Sequence, residues 1–158
     1  MERRMEGMTL FELLIVVVVI AILAFVAMPA SATGYDQRLD LVELQITDAL
    51  GRAQALARST RLPYGVVFDT EGNRFAVVDS NGNAVTDPLT KGSYIVGFDR
   101  PDQPKGIDFT TAAFGTNGAA AIFDGQGLPV NGGSVVVRCH SSTRTLTLDQ
   151  ATGELSSS

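Results

Sequence analysis

From Leu13 to Met28 the chain runs for sixteen residues, LLIVVVVIAILAFVAM, without a polar side chain. Met8 to Phe11 extend the apolar stretch to about 20 residues, the length that crosses a bilayer's hydrocarbon core as a helix. The pattern then changes. Between Asp36 and Thr60, Leu39, Val42, Ile46, Ala49, Ala53 and Leu56 recur in steps of three and four, with Asp40, Glu43, Thr47 and Arg58 largely off that stripe. Such spacing predicts an amphipathic helix. Alanines in its C-terminal half leave room for close approach to a sheet. Pro29 removes a backbone donor and Gly34 loosens the backbone again, so the expectation is one long helix bent near Pro29–Gly34.

Beyond Thr60 short β-type runs alternate with Gly, Asn, Asp and Pro. The predicted strands are Tyr64–Phe68, Phe75–Val78, Tyr94–Phe98, Gly106–Phe109, Ala119–Phe123, Val135–Cys139 and Thr143–Leu148. Asn81-Gly82 reads as a tight turn between strands. Residues 83–105 hold Pro88, Pro101 and Pro104 and read as a surface excursion. The tail Ser156-Ser157-Ser158 reads as frayed. The fold class is therefore α+β, a long N-terminal helix packed on an antiparallel β-sheet domain. Its parts are a leader over 1–7, a membrane-length helix over 8–29, an amphipathic helix half over 30–61 and the β domain over 62–158.

Composition narrows the function classes. The 158 residues carry a net charge of −5, and Glu2 and Glu6 in the leader offset Arg3 and Arg4, so its removal leaves that balance unchanged. An acidic chain is not drawn to nucleic acid or anionic lipid at long range. Arg3 and Arg4 precede the apolar run and no comparable cluster follows closely, which places the leader on the cytoplasmic side and the domain outside. The single cysteine, Cys139, excludes an internal disulfide and reads as a small buried hydrophobe.

One acid, Glu12, interrupts the apolar run. A carboxylate in a bilayer helix costs on the order of 2.5–3.5 kcal/mol, and a plain anchor has no use for it. A secretory signal with Ala30-Ser31-Ala32 as its cleavage site is the competing interpretation, although its apolar core would be longer than the usual 7–15 residues. Gly7-Met8-Thr9-Leu10-Phe11-Glu12-Leu13-Leu14 resembles the class III signal of type IV pilins and type II secretion pseudopilins. That resemblance implies cleavage after Gly7 by a prepilin peptidase and methylation of the new amino terminus on Met8. Glu12 is then the fifth mature residue and Pro29 the twenty-second, both in the family's register. A buried amine at Met8 and the Glu12 carboxylate attract strongly at low dielectric. The pair forms between neighbouring subunits of a filament or, four residues apart on one helix, within the chain.

The segments 52–59, 62–69 and 122–129, followed by Val135–Cys139 and Gly153-Glu154-Leu155, are similar in order to the GspH/FimT group of minor pseudopilins and minor pilins. The resemblance implies a structural subunit of a type II secretion pseudopilus or type IV pilus. It would be held in the bacterial inner membrane with its domain in the periplasm, and would contact other subunits through the N-terminal helix. Two alternatives are a DNA-binding minor pilin for natural transformation and a periplasmic binding protein released after Ala32.

No catalytic constellation is legible, and no cofactor or metal is expected. His140, the sole histidine, reads as an exposed hairpin residue. Asp79-Ser80-Asn81-Gly82-Asn83 lacks the glutamate and the glycine position of a calcium loop and reads as a turn. Phe123–Gly127 precedes a strand, not a helix, so it reads as a flexible turn without a phosphate site. Arg138 and Arg144 are the candidate DNA contacts, diluted by Asp149 and Glu154, which makes a solvated strand face the simpler reading. Arg52, Arg58 and Arg61 cluster near the helix end expected to pack on the sheet.

Overall fold

The computed structural model describes residues 10–26 and 33–158. Gly7, Met8 and Pro29, and with them the expected leader, cleavage junction and proline bend, lie outside the described residues. The chain divides into two compact units, Met1–Thr33 and Gly34–Ser158.

In the first unit, α1 spans Leu10–Val26, 17 residues. At 1.5 Å per residue it is about 26 Å long, short of a hydrocarbon core of roughly 30 Å. Among the described residues no helix is long and apolar enough to cross a membrane; the expected span over 8–29 includes residues outside them. Every residue from Leu10 to Ala21 is exposed, so the helix shows apolar side chains all round.

The second unit is built on α2, Thr33–Thr60. Gly34 is helical here and breaks nothing. The predicted stripe turns inward: Leu39, Val42, Ile46, Ala49 and Ala53 are buried, joined by Leu50 and Ala57. Ala49, Ala53 and Ala57 recur every four residues at no exposure, which lets the helix lie close on the β layer.

That layer, the expected antiparallel β domain, is divided into two sheets. Strands β1 (Tyr64–Asp69), β2 (Arg74–Val78), β3 (Ile95–Gly97) and β5 (Ala120–Phe123) form the first, in the order β3-β2-β1-β5. Strands β4 (Ile107–Ala113), β6 (Gly133–Cys139), β7 (Ser142–Leu148) and β8 (Leu155–Ser157) form the second, in the order β4-β6-β7-β8. All pairings are antiparallel. Inward-facing residues of both sheets, including Val66, Phe68, Phe75, Val77, Phe109, Phe123, Val135, Val137, Leu146 and Leu148, join the α2 stripe in one core. Phe68 touches Phe75, Phe109 and Phe114 at ring-centroid separations of 5.6–6.0 Å, linking the sheets through aromatic contact.

A side chain completes the join. Asn73, at the β1–β2 turn, donates from Nδ2 to Ile107 O at 2.6 Å and accepts from Phe109 N at 3.2 Å. It thereby satisfies backbone groups of β4 that no strand reaches. The C-terminal tail also departs from expectation. Thr145 and Ser158 exchange both backbone hydrogen bonds, at 2.9 and 3.0 Å, and β8 pairs along β7 instead of fraying.

Candidate functional site

Glu12 lies in α1, on a helix whose described surface is apolar except at that carboxylate. A helix apolar on every side is ordinarily covered by lipid or by other protein.

Arg138 and Arg144 sit on adjacent strands but on opposite faces. In the β6–β7 register Val137 faces Arg144, and Arg138 faces Thr143. Arg144 therefore shares the inward side with Val137, Leu146 and Leu148. It is 23% exposed and donates from Nη1 to Asp40 and, at 2.9 Å, to Glu43, both on α2. The Asp40 carboxylate, then Glu43, holds its guanidinium above its ordinary pKa. Its role is to tie β7 to the helix, not to line a solvated strand face. Arg138 points away from the core and pairs with Asp108 at 2.6 Å. The two candidate DNA contacts are thus neutralised separately on two sides of a sheet.

His140 is exposed in the β6–β7 turn, with φ +55°, and its ring stacks on Tyr35 of α2 at 4.7 Å. Cys139 is buried, its Sγ 4.0 Å from the His140 Nδ1. The packing accounts for both, and among the described residues no carboxylate or hydroxyl completes a nucleophile–base arrangement with them.

The two polar turns are fixed by aspartates. Asp79 Oδ1 accepts from the N–H groups of Asn81 and Asn83 at 2.8 and 2.9 Å, and Gly82 supplies the required positive φ. Those donors, Asn83 foremost, hold the Asp79 carboxyl below its ordinary range. Asp124 Oδ1 likewise accepts from Gln126 and Leu128, each at 2.9 Å. This second turn is seated, not flexible. Gln54 of α2 donates to Gly127 O at 2.8 Å, and a Cβ at Gly125 would come within 2.5 Å of Arg61 O. Glycine is needed there because the two backbones touch.

The close seating leaves an open cleft of about 610 Å³ between the end of α2 and this turn, lined by Arg58, Arg61, Asp124, Gly125 and Gln126. The sequence reading grouped Arg52 with Arg58 and Arg61; the fold separates it. Arg52 lies over the Tyr94 ring at 5.2 Å, and Tyr94 donates its hydroxyl to Asp48 at 2.9 Å. Burial, then that bond to a carboxylate, pushes the Tyr94 phenol up to about 12. Among the described residues no group of histidines, cysteines and carboxylates is arranged to hold a metal ion.

Comparison with solved structures places this architecture. The crystal structure of the type IV minor pilin FimU of Pseudomonas aeruginosa matches with a TM-score of 0.51 at 15% identity, over 80% of this chain and 89% of that one. The chain has a pilin-like fold. The match rests on backbone arrangement: no protein-family model matches the chain, and no curated protein is similar to it in sequence. A helix laid on antiparallel β-sheets is thus shared.

Proposed function

We propose that the protein is a minor pilin or pseudopilin, a structural subunit of a type IV pilus or type II secretion pseudopilus and not an enzyme. A prepilin peptidase cuts after Gly7 and methylates Met8. The segment 8–29 holds the chain in the bacterial inner membrane, with the domain in the periplasm, until it enters a filament. The observation that carries this reading is the pairing of a pilin-like domain with a preceding helix whose described surface is apolar apart from Glu12. In the membrane lipid covers that helix; in the filament, the helices of other subunits do.

Glu12 has a role in that exchange. Its carboxylate meets the Met8 amine of a neighbouring subunit, which favours one register over others because leaving either charge unpaired costs most. Co-isolation of the natively expressed chain with other filament subunits tests the reading. The wild type should be recovered with them. Glu12→Ala should remain membrane-inserted, since a costly polar group is gone, yet be lost from the complex. A wild-type chain recovered with no filament subunit would remove the proposal; normal recovery of the alanine variant would remove the pairing.

A further inference from the structure

Arg61 stands where a helix most often places glycine. Its φ is +58°, and its N–H donates to Ala57 O at 2.9 Å, ending α2 in a left-handed residue. A side chain in that conformation carries a steric cost that glycine avoids. Arg58, one turn earlier, lies along Gly127, where no Cβ would fit against it. Both arginines are exposed, and the ion pairs among the described residues engage Arg74, Arg138 and Arg144 instead. The single acid in their cleft, Asp124, spends Oδ1 on two backbone donors. The cleft is locally positive on a chain of net charge −5.

We propose that this cleft docks an acidic protein segment, with the Arg58 and Arg61 guanidiniums taking its carboxylates. Two planar forks suit bidentate carboxylate binding. Nucleic acid fits less well: two cations neutralise few phosphates, the chain as a whole repels a polyanion, and no aromatic ring lines the cleft for bases to stack on. The site is independent of the filament reading, since it rests on the domain alone.

The test uses the full chain in neutral detergent and fluorescence anisotropy with short labelled poly-L-glutamate. Arg61→Gly suits the left-handed position, so its denaturation midpoint should hold or rise while affinity falls about fivefold. Arg58→Gln should weaken binding similarly. Unchanged affinity in both variants would overturn the proposal. So would a labelled DNA of equal charge binding as tightly as poly-L-glutamate, which would assign the cleft to phosphate.

Discussion

The two helices differ in where their partners lie. In α2 apolar residues are confined to one stripe, and that stripe is buried on the chain's own sheets. In α1 they occupy all sides and are exposed from Leu10 to Ala21. A stripe specifies a single contact surface within a domain. A helix apolar nearly all round specifies a surrounding medium or a bundle. The difference separates the part of the sequence that folds the protein from the part that the proposed function uses.

Substitution at matched apolar positions should break that symmetry most sharply. Ile46→Asp buries a charge in the α2 stripe at 0% exposure and should cost more than about 4 kcal/mol, enough to unfold the domain. Val17→Ala in α1 should change domain stability by less than about 0.5 kcal/mol. Chemical denaturation of the full chain in detergent, followed by a domain-specific signal, distinguishes the two. Equal losses would mean that α1 contributes to the domain's fold.

A smaller contrast lies within the β6–β7 hairpin. Arg144→Ala should destabilise by about 1–2 kcal/mol, because two α2 carboxylates lose a half-buried partner. Arg138→Ala, which breaks an exposed pair, should cost about 0–1 kcal/mol. Comparable midpoints in the same denaturation experiment would show that the helix tie through Arg144 carries no stability.

The smallest effect is a pH dependence where α2 meets the 83–105 excursion. Tyr94 holds its proton to about 12 in the folded protein, against 10.0 ordinarily. The folded pKa is raised, so this stabilisation is complete below pH 10.0 and is lost as pH climbs toward 12. Tyr94→Phe should flatten that part of the stability profile. A wild-type profile already flat between those values would contradict the Tyr94–Asp48 contact.

The α2 stripe was legible because one period encodes one face, and the seven strand runs were legible because each is locally apolar and turn-bounded. The division into two sheets was not, since pairing of β1 with β5 and of β4 with β6 depends on contacts between distant segments. Strand β8 escaped notice because Leu155-Ser156-Ser157 has no alternation; its backbone pairing with β7 holds it. Arg144 did carry a signal. It shares parity with Leu146 and Leu148, and parity on a strand fixes the face. Arg58 and Arg61 were legible as neighbours in a basic cluster, but the cleft between them and the 124–128 turn was not. It depends on a left-handed residue and on a turn brought in from a distant segment.

The claim that α1 belongs to an assembly depends first on how the chain's amino terminus is made. Intact-mass and N-terminal analysis of the natively expressed protein should find a chain beginning at Met8 with one added methyl group. A mature chain beginning at Thr33 would contradict it, leaving a released periplasmic domain with no stem to build into a filament.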